Sequence, residues 1–156
     1  MSRYLRLFPA IFLMFMANTA LCELRQCKGQ TVYVPIYSHI YHGDQQKHPF
    51  YLTATLSIRN TDPDHPITVA IADYYDSDGK LLKNYLPKPL KLNPLSSTYV
   101  IIQESDKSGG VGASFIVRWE SENKVSEPLI EAVMIGAKGQ QGISFTSRGQ
   151  VIRQTY

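Results

Sequence analysis

Three histidines, His39, His42 and His48, fall close together, two of them inside the tyrosine-rich stretch Tyr37-Ser38-His39-Ile40-Tyr41-His42-Gly43. Neutral imidazole is a ligand for zinc and copper, and His39 and His42, with His48 or His65, form the candidate metal set of this chain. A helix would align rings at i and i+3, but the stretch follows a strand-like segment and reads as a loop. No further ligand stands at a diagnostic spacing, so surface or loop-packing histidines are the plainer reading.

Other chemistries are weaker. Asp73, Asp76 and Asp78-Gly79 have the acidic density of a calcium loop, yet Leu81, Leu82, Asn84 and Tyr85 stand where its bidentate acid would fall. An Asp-Gly hairpin turn accounts for them. Ser108-Gly109-Gly110-Val111-Gly112 lacks the Gly-Lys-Ser/Thr ending of a phosphate loop and precedes a strand rather than a helix. Gly142-Ile143-Ser144-Phe145-Thr146 approaches a nucleophile elbow without its closing glycine. Glu120 and Glu122, at i and i+2, suit a solvated strand face as well as acid–base work. No catalytic residue is assigned and no cofactor is implied beyond the zinc or copper alternative. The expectation is a protein without enzymatic activity, with an unfamiliar envelope hydrolase as a further alternative. The remaining asset is tyrosine, ten residues in all, whose apolar body and polar tip suit recognition of protein or carbohydrate.

The elements that must position these residues are strands. Leu52, Ala54, Leu56 and Ile58 alternate with polar residues, as do Ile67, Val69 and Ile71, and Phe115, Val117 and Trp119 place the single tryptophan in the core. Thr31–Tyr37 is a first strand that Pro35 demotes to an edge or interrupts. Thr98–Ile102, Leu129–Ile135 and Ile143–Ile152 complete a set separated by proline- and glycine-rich turns about every ten residues. About seven short strands and no helical period predict an all-β, immunoglobulin-like, antiparallel two-layer sandwich. The cysteine–tryptophan–cysteine pattern of antibody domains is absent.

The first residues are of another kind. Arg3 and Arg6 precede an uncharged apolar run from Leu7 to Ala17, and Asn18-Thr19-Ala20 supplies small residues for cleavage, so residues 1–22 read as a secretory signal peptide. Residues 23–30 read as a flexible leader and 31–153 as the single domain. The expected address is periplasmic or secreted, with membrane contact only if Cys22 is lipidated. Cys22 and Cys27, both placed outside the core, offer at most one small disulfide loop. Losing residues 1–22 removes two of the 16 cations and none of the 13 acids, leaving a net charge of +1. No basic run remains to attract nucleic acid or an anionic membrane.

Three stretches together resemble the bacterial family known as domain of unknown function 3124 (DUF3124). They are Val32–Tyr41, Leu56–Asp62, and Glu131–Gly136 followed by Gln141–Gly149. The resemblance covers roughly residues 30–152 and implies an envelope address but no activity. The leading expectation is thus a non-enzymatic binding or structural module of the cell envelope, its partner another envelope protein or a glycan. The candidate contact surface comprises Tyr37, Ser38, His39, Tyr41, His42, Ser108, Gly109, Gly110, Gln140, Gln141, Ser144, Ser147 and Arg148, since sandwich loops commonly carry recognition.

Overall fold

A computed structural model describes residues 25–44 and 48–156; the expected signal peptide and Cys22 lie outside them. Among the described residues the chain forms strands and no helix. In order these are β1 (Gln26–Pro35), β2 (His39–Ile40), β3 (Phe50–Tyr51), β4 (Thr53–Arg59), β5 (Ile67–Tyr75), β6 (Leu81–Asn84), β7 (Leu90–Leu92), β8 (Ser97–Ile102), β9 (Ser114–Ser126), β10 (Leu129–Lys138), β11 (Gln141–Arg148) and β12 (Gln150–Thr155).

All pairings are antiparallel. One sheet runs β12-β1-β9-β5-β6 with β7 also on β5, the second runs β11-β10-β4-β8, and β2 and β3 make a small ribbon. The two larger sheets pack face to face as a sandwich. Val32, Val34, Val69, Ala72, Tyr74, Phe115, Val117 and Trp119 come from the first, and Ala54, Leu56, Ile58, Ile102, Ile130, Ala132 and Met134 from the second. Fully burying one such branched or aromatic side chain is worth roughly 1.5–3 kcal/mol, so the alternation that marks these strands is also what drives the sheets together.

Of the connections that pass from one larger sheet to the other, the two shortest are the corners at Glu127-Pro128, between β9 and β10, and at Gly149, between β11 and β12. A Cβ at Gly149 would meet Val32 Cγ1 at 2.5 Å and the Ile130 carbonyl oxygen at 2.8 Å, so the crossing passes against the core where only glycine fits.

The sandwich is as expected, but several details differ. There are twelve strands rather than about seven: β2, β3 and β7 are only two or three residues long, too short for alternation to reveal, while β6 is the short strand into which the Asp-Gly hairpin turn leads. The segment Ile143–Ile152 is two strands in different sheets, divided at Gly149. β1 begins at Gln26, inside the segment expected as a leader, and Cys27 is fully buried in the core rather than outside it. β1 is internal, between β12 and β9; Pro35 is tolerated as its last residue, beyond the final β12 pair at Tyr33–Gln150. Ile71 does not continue the inward row of Ile67 and Val69. A bulge between Val69 and Ile71 turns Ile71 outward and hands the core positions to Ala72 and Tyr74.

Candidate functional site

Three connections gather at one end of the sandwich: the β2–β3 ribbon, the loop from Gln103 to Ala113, and the β10–β11 hairpin. Hydrogen bonds hold the first two together. The N–H and Oγ of Ser38 both donate to the Gly110 carbonyl, at 3.2 and 2.9 Å, while the Ser38 carbonyl accepts the Leu52 N–H at 3.0 Å. On the other side of the loop, Ser77 donates from its N–H and its Oγ to the Gly109 carbonyl, both at 3.0 Å. Gly109 itself lies on the Tyr74 hydroxyl, with which a Cβ would overlap. The hairpin joins the group through Gly136, whose position lies 2.5 Å from the Tyr51 carbonyl oxygen when a Cβ is built on it.

What this scaffold displays is aromatic and cationic. The His39 ring meets Tyr41 edge-on at 5.2 Å and Tyr51 at 6.0 Å, and Lys107 Nζ stands 4.2 Å above the Tyr51 ring. An exposed cation–π contact of this kind contributes about 0.5–1 kcal/mol and steadies a lysine beside the aromatic cluster. Tyr41 is 46% exposed. Beside it, Pro49, Phe50, Tyr51, Glu104, Ala137 and Lys138 line a cleft of about 290 Å³.

The expected contact residues divide. His39, Tyr41, His42, Ser108, Gln140 and Gln141 are half-buried or exposed at this end. Ser38 and Gly109 are buried and serve as fasteners, and Gly110 contributes its carbonyl to Ser38. Tyr37 packs edge-on against Phe145 at 5.7 Å, and Ser147 Oγ donates to the Pro35 carbonyl at 2.5 Å, so both close β11 against β1 instead of facing a partner. Ser144 is exposed on the outer face of β11. Arg148, paired with Glu131, stands at the far end of that strand, about 23 Å from Gln141 at the usual rise of about 3.3 Å per residue. Tyr51, Lys107 and Glu104 escaped the sequence reading. Only the local strand signal around Tyr51 hinted at them, because their convergence is tertiary.

His39 Nδ1 lies 3.2 Å from Ser38 Oγ, and among the described residues no group of three or more His, Cys, Asp or Glu side chains is arranged to hold a metal ion. The aspartates considered for calcium do other work. Asp76 Oδ1 accepts the N–H groups of Asp78 and Lys80 at 3.0 and 2.8 Å, forming the β5–β6 turn. Asp73 faces outward from β5, where burial pushes its carboxyl up and Arg118 partly opposes that rise.

The most strongly held carboxylate lies elsewhere. Asp62 Oδ1 accepts the N–H groups of Asp64 and His65 at 3.0 and 2.9 Å and lies 3.3 Å from His65 Nδ1, while Oδ2 accepts the Ser126 N–H at 2.9 Å. Burial alone would raise its pKa, but these donors overcome that and hold it at about 2. Beside it the Asn60 amide donates to the carbonyls of His65 at 2.8 Å and Asn93 at 3.0 Å. Asn60 and Asp62 thus tie three connections together and have a structural role.

A second concavity, of about 430 Å³, lies on the outer face of the larger sheet near the start of β1. Strand register sets Arg153, Thr31 and Arg118 in a row across β12, β1 and β9, but Lys28, Glu120 and Glu122 line the same groove and mix its charge. That row pairs residues far apart in sequence.

Among known proteins, none of those with curated functions matches. The crystal structure of Thermotoga maritima 1070 is 12% identical over 81% of this chain and 97% of that one, with a TM-score of 0.46. A family model matches residues 29–152, from the bulge at the start of β1 to the middle of β12 and so nearly the whole sandwich. The chain therefore belongs to the family described as protein of unknown function, DUF3124.

Proposed function

We propose that this protein is a non-enzymatic binding module of the bacterial cell envelope, exported by its N-terminal apolar segment, and that the loop end of the sandwich takes another envelope protein or a glycan. The observation that carries the reading is the convergence of the His39–Tyr41–Tyr51–Lys107 cluster and the Gln140–Gln141 hairpin tip on one end. A rigid sandwich supports such a surface well: its strands fix the loops, and the buried anchors Ser38 and Gly109 hold them without occupying the exposed face. Aromatic rings with a neighbouring cation suit stacking on a sugar ring or docking against a protein side chain.

The test is a photo-crosslinking residue placed at Tyr41 or Gln140 in intact cells, with Arg118 on the groove face as the control position, alongside a glycan array probed with the purified protein. The reading expects one adduct from the loop-end positions that Arg118 does not give, or glycan binding lost in Tyr41→Ala and Lys107→Ala. Adducts identical at all three positions, or neither adduct nor glycan, would overturn it.

A further inference from the structure

The free strand edges of this sandwich are not equivalent. β6 and β7 each carry a lysine, Lys83 and Lys91, and β12 carries Arg153, the charges by which natural sheets resist edge-to-edge pairing. β11 is covered by the Tyr37–Phe145 contact and the Ser147–Pro35 hydrogen bond. β8 is different. Its six residues, Ser97-Thr98-Tyr99-Val100-Ile101-Ile102, contain no charge, proline or glycine, and β4 is its pairing partner on one side alone.

The direction of its backbone groups follows from the register. The Asn60 N–H donates to the Ser96 carbonyl at 2.9 Å, and Asn60–Ser96 continues the β4–β8 pairing that runs through Ile58–Thr98, Leu56–Val100 and Ala54–Ile102. Hydrogen-bonded pairs alternate in an antiparallel ladder, so Ser96, Thr98, Val100 and Ile102 turn their N–H and C=O groups toward β4. Those of Ser97, Tyr99 and Ile101 point outward, without a backbone partner among the described residues. The side chains of Tyr99 and Ile101, on the outer face of the sheet, are 67% and 48% exposed.

We propose that β8 is a homodimerisation edge: two copies of the chain pair antiparallel through Ser97–Ile102 about a twofold axis at Val100, joining their four-stranded sheets into one of eight. The occupant is a second copy because the strand complements itself. Residues facing each other across an antiparallel pair share a side of the sheet, which restricts the axis to a residue position, Tyr99 or Val100. The Val100 axis sets Tyr99 opposite the partner's Ile101 twice, the aromatic–β-branched pairing that sheets favour, and both residues present outward backbone groups. It also sets Glu104, the first charge beyond the strand, opposite the partner's Ser96, so no like charges meet. Self-pairing of β6 or β7 would bring lysines together. The twofold arrangement closes after two copies and exposes no further edge of this kind. The inference is independent of the loop-end reading.

The test combines sedimentation of the protein over about 1–100 µM with amide hydrogen exchange at Ser97, Tyr99 and Ile101. The wild type is expected to dimerise in that range with these three amides protected. Ile101→Lys, at an exposed position that leaves the core intact, is expected to weaken dimerisation at least about tenfold and expose the amides while keeping the β-sheet circular dichroism. Tyr99→Lys is the second variant should the first fold poorly. A wild type that stays monomeric overturns the proposal, and protected amides in that monomer would show that the chain covers its own edge. A dimer that persists in both variants, or leaves the three amides unprotected, would overturn it in favour of another interface.

Discussion

Asp62 gives the most quantitative prediction. Its pKa falls from 3.8 to about 2 through the N–H donors of Ser126, Asp64 and His65 and the His65 ring, which prevail over a burial effect of opposite sign. At about 1.4 kcal/mol for each tenfold change in proton affinity the depression is worth roughly 2 kcal/mol. The loop lies near solvent, and screening trims this to about 1–2 kcal/mol. Because the folded-state pKa is the lower one, the contribution is complete above the unfolded value of about 4 and is lost as pH falls toward 2. Asp62→Asn removes the charge and turns an amide donor toward one of its donor partners. The expected loss is about 2 kcal/mol at pH 7, narrowing to less than about 1 kcal/mol near pH 2.5, where the unfolded carboxyl is protonated and folded Asp62 has begun to take up its own proton. Urea denaturation of both proteins at a series of pH values measures the gap. A gap that is absent at neutral pH, or unchanged in acid, would refute the argument that the charge, rather than the shape of the loop, holds the β4–β5 connection to the end of β9.

Other expectations are simpler. Gly149→Ala forces a Cβ against Val32 and the Ile130 carbonyl, so thermal or urea unfolding is expected to show a loss of about 1–3 kcal/mol. Leu95 is 70% exposed and held at φ 57°, a left-handed conformation that asparagine tolerates better; Leu95→Asn is expected to stabilise the protein by about 0.5–1 kcal/mol in the same assay. The buried Tyr74 phenol, raised to about 12 by burial and by nearby Asp106 and Tyr85, contributes stability that is lost as pH rises from about 10 through 12. Tyr74→Phe is expected to remove that alkaline loss at little cost at neutral pH, because the hydroxyl has no hydrogen-bond partner, and alkaline unfolding curves check it. Cys27, fully buried and with its thiol pushed up by burial, is expected to react with a thiol reagent only on unfolding.

The sandwich itself was legible because burial against an opposing sheet writes a period of two into the chain. Leu52 through Ile58 and Phe115 through Trp119 follow that period, and all six of Leu52, Leu56, Ile58, Phe115, Val117 and Trp119 are buried. The Asp-Gly turn after β5 was legible for a similar local reason, since Asp76 bonds to its own neighbours. The bulge that turns Ile71 outward was not, because an extra residue is resolved only by the partner strand's register. Nor was the role of Ser38 or Gly109, chemically ordinary residues whose burial depends on chain that returns about 70 positions later or approaches from another sheet. Side-chain type and short spacing were enough to show which residues seek the core, where the chain turns and which chemistries lack their full residue sets. That Tyr51 meets both His39 and Lys107, that Arg148 stands far from Gln141, and that β8 lies uncharged at an edge follow from the three-dimensional arrangement alone, because strand order and register bring together residues that no local pattern connects.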